Sequence, residues 1–196
     1  MNRRLLAVVL AALIIAPAAS AARVHVRVEG KTRTIYGATA PTLAADNALG
    51  ALDAASLAAE FYYHVQQTAF GPYVDQIARY AAAGQTGWVF KVNGKSPPVG
   101  ADQVKLQDGD SVLWYWAQFG AAGGPKTLAL KKTRANCYAV VQQDDNGAES
   151  PAAGAILHVG SRRTVPTNGG AACVGNHRGL LVRAELAGAV RSNALA

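Results

Sequence analysis

Apolar and polar residues alternate along several short stretches in the first part of the chain. In residues 23–29 the valines share one side and the basic residues share the other: Val24, Val26 and Val28 against Arg23, His25 and Arg27. A period of two residues is typical of a half-buried strand. From this pattern, and from runs of β-branched and aromatic residues, we predict strands at 23–29, 32–36, 61–65, 70–77, 87–92, 104–106 and 111–116.

One helix is predicted among these strands. Asp46 or Asn47 has a side chain suited to capping a helix start, and the Ala- and Leu-rich residues that follow favour helix through about Ala59. A helix packed against such strands predicts a small α+β domain of β-grasp type.

Two features mark the region that contains the tryptophans. Asn93-Gly94 is the strongest turn signal in the chain, because both residues readily adopt positive φ. Residues 111–116 carry large apolar side chains on both faces of a predicted strand. Because one helix covers only one face, we expect some of these rings to be partly exposed.

Beyond the Gly-rich residues 119–127, which we interpret as a linker, the chain shows strand and turn signals. We predict strands at 128–132, 136–142, 155–159, 163–166, 171–174, 180–185 and 190–194. About seven short strands separated by turns are typical of an immunoglobulin-like β-sandwich. The predicted fold class is α+β, a β-grasp-like domain with one main helix followed by an all-β sandwich. The predicted organisation is a signal peptide at 1–21, the β-grasp domain at 22–118, the linker at 119–127 and the sandwich at 128–196.

The N-terminal residues have the pattern of a secretory signal. A short basic segment, Asn2-Arg3-Arg4, precedes an apolar run at 5–15 that is too short to span a bilayer of roughly 30 Å. Small residues around Ala21 suit a cleavage site. We therefore predict a secreted protein, and no later stretch is apolar enough to predict a membrane span after signal removal.

Charge and cysteine content narrow the function classes. The chain carries 19 Lys and Arg against 12 Asp and Glu, a formal net charge of +7. The basic residues are scattered rather than gathered into the stripe that nucleic-acid binding favours, so we predict no nucleic-acid partner. Cys137 and Cys173 predict a disulfide in an exported protein. Closing a loop of about 37 residues should stabilise the fold by roughly 4 kcal/mol in the chain-entropy treatment.

Motifs for catalysis or metal binding are missing from the sequence. The four histidines stand alone in their segments, without the spacing of a zinc site. Residues 144–149 place acidic side chains near a Gly turn but lack the ligand alternation of a calcium loop. No nucleophile elbow or phosphate loop occurs. We therefore predict no enzyme, no catalytic residue, no metal site and no cofactor.

Several motifs in the first part together resemble one known domain. They are Val24-x-Val26-x-Val28-Glu29-Gly30, Asn47-Ala48-Leu49-Gly50-Ala51-Leu52, Phe70-Gly71-x-Tyr73-Val74-x-x-Ile77, Gly87-Trp88-Val89-Phe90-x-Val92-Asn93-Gly94, Gly100-Ala101-Asp102 and Leu106-x-Asp108-Gly109-Asp110-x-Val112-x-Trp114-Tyr115. In order and spacing they resemble the C-terminal domain of transcobalamin and intrinsic factor. The resemblance covers residues 23–118 and implies a β-grasp fold that binds a soluble ligand.

The resemblance also implies where a ligand would bind. In the cobalamin carriers this domain closes over one face of the corrin ring, and the strand that matches residues 88–93 contacts it. Those carriers hold the other face with a helical barrel, which we do not expect in this chain. The implied ligand-binding residues are Trp88, Phe90, Val92, Asn93, Trp114, Tyr115 and Trp116. Their aromatic rings either fill the core or form a platform on which a flat ligand stacks.

The second part resembles carboxypeptidase-regulatory and surface-adhesin sandwich modules. The motifs are Pro151-x-x-Gly154-Ala155-x-x-x-Val159, Thr167-Asn168-Gly169-Gly170-Ala171-Ala172 and Val182-x-Ala184. This resemblance implies an interaction or structural role. Because Cys137 and Cys173 lie on separate predicted strands, we expect their disulfide to join the two sheets of the sandwich.

Two functions follow from the sequence. The first is a secreted, non-catalytic protein that binds a flat soluble ligand such as a corrinoid, with cobalamin as the candidate ligand. The alternative is a structural or adhesive protein of the cell envelope, which has an envelope component as its partner and no small-molecule ligand.

Overall fold

A computed structural model describes residues 21–121, 123–161 and 163–196. The predicted signal residues up to position 20 lie outside this part of the chain. The first half, residues 21–118, contains β1 Ala22–Glu29, β2 Thr34–Tyr36, β3 Thr42–Ala45, α1 Ala48–Ala59, β4 Tyr63–Thr68, β5 Gly71–Ile77, β6 Tyr80–Ala81, β7 Thr86–Val92 and β8 Ser111–Gln118. The second half, residues 127–196, contains β9 Thr127–Arg134, β10 Cys137–Gln143, β11 Glu149–Pro151, β12 Ile156–Val159, β13 Arg163–Pro166, β14 Ala171–Cys173, β15 Val182–Glu185 and β16 Ala194–Leu195.

The first sheet is built around a parallel pair of strands. β1 and β8 pair in parallel, with Val26 opposite Val112 and Val28 opposite Trp114. β2 and β3 pair antiparallel with the other edge of β1, and β7 pairs antiparallel with β8. β7 is thus the last strand of the sheet on that side. A separate small sheet, β4-β5-β6, lies beside it.

Helix α1 covers one face of the first sheet. The side chain of Asn47 accepts a hydrogen bond from the backbone N–H of Gly50 at 2.8 Å, which confirms it as the N-cap. At the other end the chain turns at Glu60, which has a positive φ of 52°. The apolar cluster beneath the helix joins it to β1, β5, β7 and β8, with Leu52, Val26 and Ile77 fully buried.

The second half consists of two four-stranded sheets that share a second apolar cluster. One sheet contains β9, β10, β11 and β14, and the other has the order β13-β12-β15-β16. Leu128, Val140, Leu157 and Val182 lie in the core that the two sheets share. The described chain is therefore rich in strands with one short helix, as the sequence predicts.

The disulfide forms between the predicted cysteines and joins two predicted strands, but these strands belong to the same sheet. Cys137 and Cys173 are bonded and lie directly opposite each other on β10 and β14, with Cα atoms 3.9 Å apart. These strands are neighbours in one sheet, so the expectation of a bond between the two sheets is wrong. The bond instead fixes the register of a three-residue strand, β14, on its neighbour.

The second half covers the other face of the first sheet. Tyr115 and Ala117 of β8 form a third buried cluster with Val190, and the backbone N–H of Ala194 donates to the carbonyl of Ala38 at 2.7 Å. The charged side chains of Glu29 and Lys91 are fully buried in this contact. The expectation of partly exposed rings in this strand is confirmed for Trp116, whereas Trp114 and Tyr115 are buried, Tyr115 beneath this second cover. The domain boundaries at 118 and 128 stay predictions.

Some strand predictions differ from the structure. Residues 104–106 form no strand and make only an isolated bridge between Lys105 and Asn47. The predicted strand at 190–194 is also wrong, since the strand there is Ala194–Leu195. The Asn93-Gly94 turn forms, with Val92 and Lys95 bonded across it at 2.8 and 3.0 Å. Residues 95–110 separate this turn from β8, so the turn is not a two-residue hairpin connection between the paired strands β7 and β8.

Candidate ligand-binding groove

An aromatic groove lies beside the outer edge of β7. Its volume is about 360 Å³. Strand β5 forms one wall, β7 and β8 form the floor, and the loop after β7 closes the other side. The lining residues are Pro72, Tyr73, Val74, Trp88, Val89, Phe90, Ser96, Pro97, Gly100, Ala101, Trp114, Tyr115, Phe119, Gly124 and Asp145. We call this surface the aromatic groove.

Cross-strand pairing brings the large rings of the groove floor together. Phe90 lies opposite Trp114, and their rings stack with centroids 5.0 Å apart and planes 29° apart. Trp88 lies opposite Trp116, edge to face, with centroids 5.6 Å apart. Directly opposed residues of an antiparallel pair share one face, so all four rings lie on the face that α1 covers.

The indole N–H groups of the floor are already used inside the protein. Trp88 donates to the carbonyl of Tyr80 at 2.8 Å, and Trp114 donates to the carbonyl of Ala48 at 3.0 Å. Both tryptophans are only 2% exposed. They therefore offer a ligand apolar contact at the groove floor and no hydrogen-bond donors.

The most exposed aromatic rings of the groove lie at its rims. Tyr73 on β5 is 39% exposed and Phe119 after β8 is 40% exposed. Tyr73 reaches across β7 because residue 87 is glycine: a Cβ there would stand 2.7 Å from the Tyr73 hydroxyl oxygen. A side chain at position 87 would push this ring away from its place on the rim.

One end of the groove is polar. The Asp145 carboxylate, which is largely exposed, accepts a hydrogen bond from the Ser96 hydroxyl at 3.1 Å and lies 3.6 Å from the buried ammonium group of Lys91. Burial raises the pKa of Tyr115, and the nearby Asp145 charge raises it further. Burial lowers the pKa of Lys91, and Asp145 opposes that shift. Because Asp145 belongs to the second half, both halves contribute to this groove.

Four of the seven predicted ligand-binding residues line the groove: Trp88, Phe90, Trp114 and Tyr115. Trp116 lies instead in a larger cavity of about 520 Å³ beside Lys31 and Arg191, which has few other rings. Val92 packs against the core under the helix.

Asn93 has a structural role at the turn after β7. Its amide nitrogen donates to Asp110 at 2.7 Å, and its amide oxygen accepts from the backbone N–H of Ser111 at 2.9 Å. Its φ is 51°, as the turn requires. The ligand-binding role assigned to these seven residues stays a prediction.

Sequence reasoning missed the rims and the polar end. Tyr73 lies in a predicted strand, but no local pattern indicates that β5 lies next to β7. Phe119 lies in the segment interpreted as a linker, Asp145 lies in a segment that lacks the pattern of a calcium loop, and no sequence signal marks Pro97. These residues are far apart in the chain, so their meeting depends on the tertiary fold.

Comparison with known families gives a match over part of the chain. Residues 45–118 are similar to a family described as Domain of unknown function (DUF4430). The match begins at the last residue of β3 and ends at the last residue of β8, so it includes the groove floor and the β5 wall. It leaves out β1, β2 and the second half. None of the curated proteins compared with the chain matches it.

No helix in the described ranges combines the length and hydropathy needed to cross a membrane.

Proposed function

We propose that this protein is an exported, non-catalytic binding protein whose aromatic groove holds a flat soluble ligand. The observation that carries the proposal is the groove itself, which is lined by the stacked Phe90–Trp114 pair and by the exposed rings of Tyr73 and Phe119. Aromatic surfaces of this kind bind flat rings by stacking and apolar burial. The polar end at Ser96 and Asp145 would orient the ligand along the groove.

The size of the groove limits the ligand. At about 360 Å³ it lies near the lower end of the roughly 300–1,000 Å³ range of small-molecule sites. A corrinoid is larger than the groove, so only one edge of its ring would be held, and the rest would lie in solvent. We therefore propose cobalamin as a ligand that binds weakly to this chain alone.

The fold also supports a more specific proposal about the type of domain in each half. The parallel pairing of β1 and β8 at the sheet centre, with α1 across one face, is the arrangement expected of a β-grasp domain. We propose that the first half is a transcobalamin-C-terminal-like domain of this type and that the second half is an immunoglobulin-like sandwich. The basic and apolar pattern of the N-terminal residues supports export.

Titration of the purified protein with cyanocobalamin tests the proposal. We expect a saturable change in tryptophan fluorescence, corrected for absorption by the ligand, because Trp88 and Trp114 form the groove floor. Riboflavin serves as a second flat ligand that fits the groove more completely. Tyr73→Ala removes an exposed ring of the rim and should weaken binding roughly five-fold.

Tyr62→Ala is the matched control, since Tyr62 is 59% exposed and does not line the groove. It should leave binding unchanged. If neither ligand changes the fluorescence near millimolar concentration, the groove is not a site for flat ligands. Equal losses in the two tyrosine variants would place binding elsewhere on the protein.

One observation favours the alternative role of a structural or adhesive envelope protein. Phe70, at the turn between β4 and β5, is 95% exposed on the same hairpin as Pro72 and Tyr73. An apolar tip beside a shallow groove suits contact with a macromolecule. On this alternative, Phe70→Ser abolishes retention of the protein on isolated cell envelopes, while Tyr73→Ala has a smaller effect and small ligands do not compete.

A further inference from the structure

Another cavity lies in the cleft between the two halves, on the face of the first sheet that α1 does not cover. Its volume is about 430 Å³. Strands β1, β7 and β8 form one wall, and β9, Gln143 and Asn193 form the other. Among its described lining residues none is aspartate or glutamate, and four are basic: His25, Arg27, Lys91 and Lys131. We call it the basic cleft.

Arg27 is a buried donor in this cleft, as is Lys91. It is 7% exposed, and its Nη1 donates to Glu29 at 3.3 Å and to the carbonyl of Arg191 at 2.7 Å. Its Nε and Nη2 make no hydrogen bond within the described residues. Neither nitrogen is fully buried, because among the described residues the fully buried side-chain atom without a hydrogen-bond partner is Asp102 Oδ1. Arg27 lines the cleft, and two of its donor nitrogens have no protein acceptor among the described residues.

The surroundings of Arg27 carry an excess of positive charge. Glu29 contacts both Arg27 and Arg191, and Glu185 pairs with Arg183 at 3.6 Å, so three arginines face two carboxylates. Burial lowers the pKa of Arg27, the Glu29 carboxylate opposes this, and the two arginines lower it further. A bound anion would reduce this repulsion and form the charge-assisted hydrogen bonds that guanidinium groups make with phosphate and carboxylate.

Lys91 and Lys131 differ in what they offer a ligand. The ammonium group of Lys91 already has three neutral oxygen acceptors, on Thr127, Gln143 and Asp144, at 3.3, 3.3 and 2.7 Å, and it lies 3.6 Å from the Asp145 carboxylate. Its charge is therefore balanced by Asp145, and it has no free donor. Lys131 is half exposed and bonds to the Glu149 carboxylate, which leaves further donors at the mouth of the cleft.

Apolar side chains complete the lining and indicate an organic ligand. Leu113, Ala129 and Leu128 lie in the same cleft as Arg27. The volume is far larger than an inorganic ion needs and lies within the range of small-molecule sites. We propose that the basic cleft binds a small organic anion, with its phosphate or carboxylate group at Arg27 and its apolar body beside Leu113 and Ala129. This site is separate from the aromatic groove and does not depend on the function proposed for it.

Calorimetric titration of the purified full chain with small probes tests this proposal. Phenyl phosphate and benzoate are the anionic probes, phenol is the neutral one, and inorganic phosphate lacks the apolar body. We expect phenyl phosphate to bind more tightly than benzoate or inorganic phosphate, and phenol to show no binding. High salt should weaken the binding, and less steeply than at an exposed site because the charges are partly buried.

Substitutions on β9 provide a matched pair. Lys131→Gln should weaken phenyl phosphate binding roughly two- to five-fold, as expected for a charge at the rim of a site. Lys132→Gln removes the same charge from the neighbouring residue, which does not line the cleft, and should have no effect. Arg27→Gln should weaken binding at least about ten-fold, since it removes a buried charged donor.

Several outcomes would overturn the proposal. They are binding of phenol as tight as that of phenyl phosphate, equal effects of Lys131→Gln and Lys132→Gln, and no heat with either anionic probe. If Arg27→Gln fails to fold, the lysine pair still decides. Tyr73→Ala, which alters the aromatic groove, should leave phenyl phosphate binding unchanged, so failure at one site can be told from failure at the other.

Discussion

The two faces of the first sheet are both buried, but by different chemistry. The face under α1 is apolar, with Val24, Val26 and Val28 of β1 all fully buried. On the opposite face, Arg27 and Glu29 of the same strand are also buried, against the second half of the chain. One strand thus contributes to an apolar core on one side and to an ionic contact on the other.

This difference shows what alternation in a sequence can and cannot indicate. A period of two separates the faces of a strand, but charged residues on one face can meet either water or a second layer of protein. Here they meet protein: Glu29 accepts hydrogen bonds from Arg27 on one half and from Arg191 on the other. The charged face is where the two halves are joined.

The largest expected effect concerns the apolar face. Trp114 is 2% exposed, stacks on Phe90 and bonds to the carbonyl of Ala48 at the start of α1. Trp114→Ala should lower the free energy of unfolding by about 4 kcal/mol, because it opens a cavity and leaves that carbonyl without its partner. Urea unfolding measures this loss.

Leu57→Ala is the control for this prediction. Leu57 is on the same helix but is 74% exposed, so its loss should change stability by less than about 0.5 kcal/mol. A similar small change for Trp114→Ala would mean that α1 does not pack on this face as described.

The second effect concerns the charged face. Glu29 has no exposed surface and accepts hydrogen bonds from Arg27, Thr34 and Arg191. Glu29→Gln keeps the shape but leaves the buried arginines without their counter-charge. We expect a loss of about 3 kcal/mol in the free energy of unfolding, near the lower end for breaking a buried ion pair.

Glu185→Gln provides the comparison, since the side chain of Glu185 is 42% exposed and pairs with Arg183 at 3.6 Å. An exposed pair of this kind contributes less than about 1 kcal/mol. If Glu29→Gln lowers the free energy of unfolding no more than Glu185→Gln does, the contact between the halves is open to water. The apolar face of the sheet would then be buried and the charged face solvated.

Much of the local structure could be predicted from the sequence. The alternation in β1, the Asn47 cap of α1, the Asn93-Gly94 turn and the bond between Cys137 and Cys173 all depend on neighbouring residues or on residue type. Each has a strong local signal, and each is confirmed.

The arrangement of these elements could not be predicted in the same way. The pairing of β1 with β8 joins residues such as Val28 and Trp114 that are far apart in the chain, and no local pattern specifies it. The aromatic groove depends on β5 lying beside β7, and on Asp145 reaching it from the second half. The burial of Lys91 likewise depends on a layer whose position the sequence does not show.

The smallest expected effect is a change in stability at alkaline pH, and it depends on a tyrosine that lies on one face of the first sheet. Tyr115 lies on the face that the second half covers, and burial raises its pKa above the ordinary value of 10.0. Above pH 10 the unfolded chain therefore loses this proton before the folded chain does. Unfolding becomes more favourable as pH rises, so this tyrosine reduces stability in that range.

Tyr115→Phe removes this contribution. Between pH 8 and pH 10.5, the variant should lose less stability than the unmodified protein, by at most about 1 kcal/mol. Tyr62→Phe, at a residue that is 59% exposed, should keep the full loss. Burial lowers the pKa of Lys91 and gives a contribution of opposite sign, which is common to all three proteins and cancels in the comparison. An equal loss in the two variants would show that the Tyr115 hydroxyl reaches water, and hence that the second half does not seal this face.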